Sequence, residues 1–178
     1  GAGVVIQGRY DPSSEVGTVL AVEPAAGSTL PTEVSIVVNV EPSSVFLGNA
    51  KVERNRCSER DILVAGNRSA GSLSCSTSQS GSTSTWLLAG AADRFLATVG
   101  IPDGEHTSSA ATFQVLVDGT PVQSLELVWG QAHKVDLPLT GALRIDLVFS
   151  HASNSTEVGL VDPVLLGDPE LIAVLRAK

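Results

Sequence analysis

Residues 86–104 read WLLAGAADRFLATVGIPDG. Within them Phe95, Ala97 and Val99 recur at every second position and run into the turn sequence Gly100-Ile101-Pro102-Asp103-Gly104. A period of two is that of a strand with one buried face, and Gly and Pro punctuate its end. After a polar loop, Thr112–Val117 repeats the pattern, with Phe113, Val115 and Val117 on one face and Asp118-Gly119 closing it. Two such runs on either side of a loop predict neighbouring strands of a β-sandwich.

The same period extends in both directions. Asp118-Gly119 between alternating runs predicts a hairpin into Val122–Val128. Val135, Leu137 and Leu139 form another run, which Pro138, lacking an N–H, assigns to a sheet edge. Leu143–Phe149 predicts a strand with Leu143, Ile145, Leu147 and Phe149 inward and Arg144 and Asp146 outward. Val158–Leu166 closes the series, and Leu171–Arg176 reads as a short helix or tail. Before the anchor, Leu73 and Cys75 alternate with serines in the Ser/Thr/Gly-rich stretch 69–85, as in a solvated edge strand. Val45–Leu47, Lys51–Arg54 and Ile62–Val64 read as short strands. Val34, Ile36, Val38 and Val40 share one face of an extended run, with Ser35 and Asn39 on the other, and Val4–Tyr10 and Val16–Val22 are extended too. About eight or nine short strands without a helical period define an all-β chain, an antiparallel β-sandwich.

Of the 178 residues 43% are hydrophobic, and the mean hydropathy is +0.22, enough for a packed core. The net charge of −8 and pI near 4.7, without a basic cluster, disfavour nucleic acid and anionic membrane surfaces as partners. There is no Met, which reads as a processed or excised piece of a longer protein. No apolar run approaches the roughly 18 residues of a membrane span, a pattern that an ectodomain cut from a membrane-anchored parent would share. Cys57 and Cys75 lie in polar surroundings with no Cys-x-x-Cys pair or His ligand nearby. A disulfide is expected, closing a short loop worth about 3 kcal/mol on the chain-entropy model; the alternative is two reduced thiols that happen to lie close. A disulfide places the chain in an oxidising, extracytoplasmic compartment.

Leu88, Gly90, Phe95, Ala97, Val99, Gly100, Ile101 and Asp103, followed by Phe113, Val115, Val117, Asp118, Gly119 and Val122, form a pattern that resembles the NPCBM family. GLVDPVLLG (159–167) resembles that family's final strand. The resemblance covers about Cys57–Asp168 and implies a galactose-binding-like jelly-roll β-sandwich directed at carbohydrate. Gly17–Val40, with Gly17, Val19, Pro24, Gly27, Leu30, Pro31, Ile36, Val38 and Val40 in register, resembles the second half of a PASTA repeat. Gly27 suits the reversal there, which needs positive φ. PASTA repeats begin with a strand and a helix packed on the sheet, and nothing before Gly1 supplies them. The apolar face of a small sheet without that helix is expected to be covered by the next domain or to be poorly ordered. Glu41-Pro42-Ser43-Ser44 reads as a short joint. The division expected is 1–42 for the partial PASTA-like unit, 43–170 for the NPCBM-like sandwich and 171–178 for a tail.

No nucleophile elbow, phosphate loop, zinc-protease helix or dinucleotide-binding glycine pattern occurs, so no enzyme is expected. His106, His133 and His151 sit in polar, loop-like contexts and no two have metal-ligand spacing. No metal or cofactor is expected beyond the structural calcium that galactose-binding-like sandwiches often carry, and no calcium-loop spacing supports it. Sugar recognition needs an aromatic face for the ring's C–H surface and fixed polar groups for its hydroxyls. Phe95, Phe113 and Phe149 have core spacing and Trp86 reads as core or rim, which leaves Trp129 as the stacking candidate, with His133 near it. Asp103, Glu105 and His106 form a second loop cluster; solvated turn acids are the plain alternative.

The two resemblances together imply an extracellular or cell-surface module of a bacterial, actinobacterial-type surface protein, such as the ectodomain of a membrane Ser/Thr kinase. The partner implied is cell-wall glycan or a muropeptide. Alternatives are a protein-interaction or spacer module that self-associates, and an accessory domain of a glycoside hydrolase.

Overall fold

The structure is a computed structural model that describes residues 3–25, 28, 33–105 and 108–177. The first three strands, β1 (Gly3–Arg9), β2 (Val19–Glu23) and β3 (Glu33–Asn39), form a small sheet in the order β1-β3-β2. β1 runs parallel to β3, with Val4 opposite Val34 and Ile6 opposite Ile36, and β2 runs antiparallel to it. The apolar face of this sheet is not covered by the other described residues. Val4 is 63% exposed and Ile6 70%, because the sandwich meets the sheet at its Arg9 end instead. There the Tyr10 N–H donates to Asp168 Oδ2 (2.7 Å). Asn39, on the face opposite the valines, is buried, and its amide nitrogen donates to the carbonyls of Asp11 (3.1 Å) and Ser14 (2.7 Å). Gly27, assigned to the reversal, lies outside the described residues.

The remaining strands build the sandwich. They are β4 (Ser43–Phe46), β5 (Val52–Arg54), β6 (Cys57–Glu59), β7 (Ser72–Ser76), β8 (Ser82–Leu87), β9 (Arg94–Gly100) and β10 (Ala111–Val117). β11 (Thr120–Leu127), β12 (Ala132–Pro138), β13 (Arg144–His151) and β14 (Glu157–Gly167) follow. One sheet has the order β11-β10-β13-β8-β5; the other runs β12-β9-β14-β7-β6, with β4 also paired to β14. Phe95, Val99, Phe113, Val115, Ile145, Leu147, Phe149 and Leu160 fill the space between them, all fully buried. The chain is thus a mostly antiparallel β-sandwich, as its alternating apolar positions dictate. β12 is an edge strand, as Pro138 requires. Asp118 and Gly119 both have positive φ (50° and 82°), the geometry of a two-residue hairpin turn. Asp118 adds two bonds, accepting from the Leu143 and Arg144 amides. In the centre of its sheet β14 tolerates Pro163 because the ladder shifts register between Val161 and Val164.

Several expectations need correction. β9 and β10 are not neighbours within a sheet; they lie in facing sheets, and the loop between them crosses the sandwich. β7 is not a solvated edge strand but lies between β14 and β6, with Ser72, Leu73, Ser74 and Cys75 buried. Ile62–Val64 makes no strand; Val64 bridges Asn67 across a tight turn. Leu143 is exposed rather than inward, because it precedes β13 in the turn after Leu139. Asp146 points away from the core yet is buried, accepting from Thr85 Oγ1 (2.7 Å) and pairing with Arg144 (3.0 Å). Trp86 is core, its Nε1 donating to the Leu47 carbonyl (3.2 Å). Cys57 and Cys75 are directly opposed across β6 and β7 and joined by a disulfide. At the C-terminus Asp168 caps the short helix α1 (Pro169–Ile172), and Ile172 and Leu175 are buried.

Candidate functional site: the loop end of the sandwich

Four connections pass from one sheet to the other at the same end: 77–81, 101–110, 128–131 and 152–156. Register places them together, since Gly100 opposes both Ala132 and Gly159, while Ala111 opposes both Leu127 and His151. A fifth segment, 62–67, lies over this end. Gly100 and Gly159 are side-chain-free strand positions where Val64 and Ile62 seat. A Cβ at Gly159 would fall 2.7 Å from Val64 Cγ2 and 2.8 Å from Ile62 Cδ1. Glycine inside a strand commonly marks such a close approach.

Hydrogen bonds knit these loops. Asp103 accepts from the amides of Ala65 (2.6 Å) and Gly66 (2.9 Å), both in positive-φ turn positions, and its own amide donates to the Leu63 carbonyl (2.8 Å). Trp129 Nε1 donates to the Asp103 carbonyl (3.2 Å), joining the 128–131 loop to this assembly. Thr156 Oγ1 donates to Glu105 Oε2 (3.4 Å), and Thr77 Oγ1 donates to the Thr156 carbonyl (2.5 Å). Trp129 stays 40% exposed at the rim, so its nitrogen anchors the ring while part of its surface remains open to solvent.

Each residue expected at a site can now be placed. Trp129, Asp103 and Glu105 come together at the loop end. The Asp103 carboxylate is engaged as a scaffold acceptor and that of Glu105 takes the Thr156 hydroxyl, so both brace loops. His133 is not in a loop: it lies on β12 opposite Val99, on the same face as buried Val135. His151 ends β13. His133 Nε2 and His151 Nδ1 are buried without a hydrogen-bond partner among the described residues. His106 lies outside the described residues. Among the described residues no group of three or more His, Cys, Asp or Glu could hold a metal ion. Sequence reasoning missed Thr77, Thr156 and the Ala65-Gly66 turn. The last of these had a signal, in that Ala-Gly-Asn is a turn sequence, but its tie to Asp103 spans 37 or 38 positions of chain.

Beside this end a depression of about 630 Å³ is lined by Glu59, Arg60, Asp61, Arg68 and Ser72. Arg68 donates through Nε to Asp61 Oδ1 (2.9 Å) and holds its carboxyl below the usual carboxylate range. Ser72 Oγ is buried there without a hydrogen-bond partner among the described residues.

Two facing sheets, a disulfide at one edge and crossing loops gathered at one end define an antiparallel β-sandwich with a loop-built end. The chain belongs to the NPCBM/NEW2 domain family, which residues 35–165 match. Among solved structures it is similar to the CBM51 of Clostridium perfringens GH95 in complex with methyl-galactose. That match has 16% identity and a TM-score of 0.57, and covers 69% of this chain and 99% of that one. It is also similar to the CBM51-2 and INT domains of C. perfringens ZmpB, with CBM51-2 in complex with GlcNAc. Here the identity is 16% and the TM-score 0.60, over 77% of this chain and 34% of that one. A third structure, the M60 catalytic domain of ZmpB with CBM51-1 and CBM51-2, gives 14% identity and a TM-score of 0.60. It covers 92% of this chain and 22% of that one. At these identities the likeness is one of fold. No curated protein matches the chain. No described helix is long and apolar enough to cross a membrane.

Proposed function

We propose that the chain is a non-catalytic extracellular module whose loop end recognises cell-wall carbohydrate, with Trp129 as the stacking surface. The observation that carries this reading is a tryptophan residue 40% exposed on a loop fixed through its Nε1, because an anchored ring stacks on a sugar without losing further freedom. Asp103 and Glu105, which lie at the same end, are taken together with His133 and His106 as the polar partners of the sugar hydroxyls. Similar folds solved with methyl-galactose and GlcNAc support a hexose or N-acetylhexosamine unit, as in wall polysaccharide or a muropeptide. The disulfide supports an extracytoplasmic location. In this reading residues 1–42 form a partial PASTA-like unit, 43–170 the sandwich and 171–178 a tail. The parent protein is a membrane Ser/Thr kinase or another surface protein. The fold also accompanies a catalytic domain in ZmpB, which supports an accessory module of an enzyme as the second reading.

Titration with muropeptides or solubilised wall polysaccharide should shift the Trp129 emission, while Trp86, buried in the core, stays silent. Trp129→Ala should weaken retention on purified cell wall about tenfold or more. Equal retention of the variant, with emission unmoved by every fragment, removes Trp129 from the site.

A further inference from the structure

Among the described residues, every sheet edge but one is guarded against pairing with another chain. β12 carries Lys134, Asp136 and Pro138, and β11 carries Pro121, Glu126 and a register shift. β2 is broken by a shift between Val19 and Ala21. β4, β5 and β6 are four, three and three residues long. Bulges, charges, prolines and short length are the devices that keep edges apart. β1 has none of them. It is seven residues, GVVIQGR, exposed throughout, regularly paired to β3 on one side only, and uncharged until Arg9.

We propose that β1 pairs antiparallel with β1 of a second copy of this chain, about a two-fold axis at Ile6, so that two three-stranded sheets become one. A two-fold perpendicular to the sheet keeps the Val4–Ile6–Gly8 face on the same side in both copies. Opposing Ile6 to itself is the register that pairs all seven residues; a shift either way leaves ends unpaired. It sets Val4 against Gly8, large against small, and Arg9 against Gly3 of the second copy. Gly3 has no side chain, and its neighbour on β3 is Glu33. The Arg9 guanidinium therefore crosses Gly3 to meet the Glu33 carboxylate of the second copy, and symmetry makes that contact twice. On the other face Val4 and Ile6 of each copy join Val34, Ile36 and Val38 in one aliphatic surface, with Ile6 against Ile6 at its centre. This association uses no residue of the loop end and holds whether or not that end binds sugar.

Sedimentation equilibrium of the 178-residue chain should show a dimer with Kd of about 100 µM or tighter. Arg9→Glu should weaken it about tenfold, and adding Glu33→Arg should restore it, a pattern that aliphatic face-to-face packing would not give. Ile6→Cys should cross-link under mild oxidation, since opposed Cα atoms lie about 4.5–5.5 Å apart, within disulfide reach. Gln7→Cys, opposed to Val5, should not. All these positions on β1 are exposed, and Cys57 and Cys75 are already bonded to each other, so folding and native thiols leave the readout clear. A chain monomeric at about 0.5 mM, a dimer indifferent to Arg9→Glu, or equal cross-linking at both cysteines overturns the proposal.

Discussion

A Cβ at Gly100 would lie 2.4 Å from the Gln131 carbonyl oxygen and 2.5 Å from Val64 Cγ1. Neither neighbour can retreat cheaply: one is backbone of the Trp129 loop, the other the side chain that seats the 62–67 turn. Gly100→Ala is therefore expected to lower unfolding free energy by about 2 kcal/mol in urea denaturation. Gly104→Ala, whose Cβ would meet nothing within 4 Å, should change it by less than about 0.5 kcal/mol. Equal midpoints for the two variants would show that the loops do not rest on Gly100. In sequence Gly100 reads as the first residue of a turn; it is instead the last residue of β9, and its role comes from two segments remote in the chain. Trp129 was legible as a candidate by elimination of core aromatics. The tie of its Nε1 to Asp103 was not, because it depends on two crossing loops ending at the same place.

Strand existence followed from period two, and strand position did not. The serines of β7 look like a solvated edge because their side chains are polar. Ser72 and Ser74 are buried all the same, because β7 lies inside its sheet between β14 and β6, and Ser74 donates to the Glu157 carboxylate. The Cys57–Cys75 pair joins this strand to the edge strand β6, which has only three residues of its own to hold it. Replacing both cysteines by alanine should cost about 3 kcal/mol, read as a lower midpoint in guanidinium unfolding with a slope equal to or steeper than the parent's, as the denatured chain is freed. A double variant as stable as the parent would mean that the ladder alone holds β6.

The small sheet and the sandwich meet where Asp11, Asp93 and Asp168 converge. Burial, reinforced by the charges of Asp168 and Asp11, raises the Asp93 pKa above its ordinary 3.8, and hydrogen bonds from Thr140 and the Asp168 amide only partly offset this. A carboxyl with a raised folded pKa binds its proton more tightly in the native state. Its contribution is fully present below the unfolded pKa and is lost as pH rises through the folded value. Asp93→Asn should accordingly be more stable than the parent at pH 7, with the difference vanishing below about pH 3.8 in thermal unfolding. A constant difference across that range would exclude titration of Asp93 as its cause.

Sequence alone determined that this chain is all-β, that Phe95, Phe113 and Phe149 are core and that Asp118-Gly119 turns a hairpin, and it made a Cys57–Cys75 disulfide the expectation over two free thiols. Each of these depends on spacing within one strand or one turn, or on chemistry two residues carry wherever they meet. Only the tertiary structure decided which sheet each strand joined, that Asp103 braces a turn instead of facing solvent, and that β1 is an open edge among the described residues. Those outcomes depend on which strands lie side by side and which loops share an end, and a period of two is the same for a strand in either sheet.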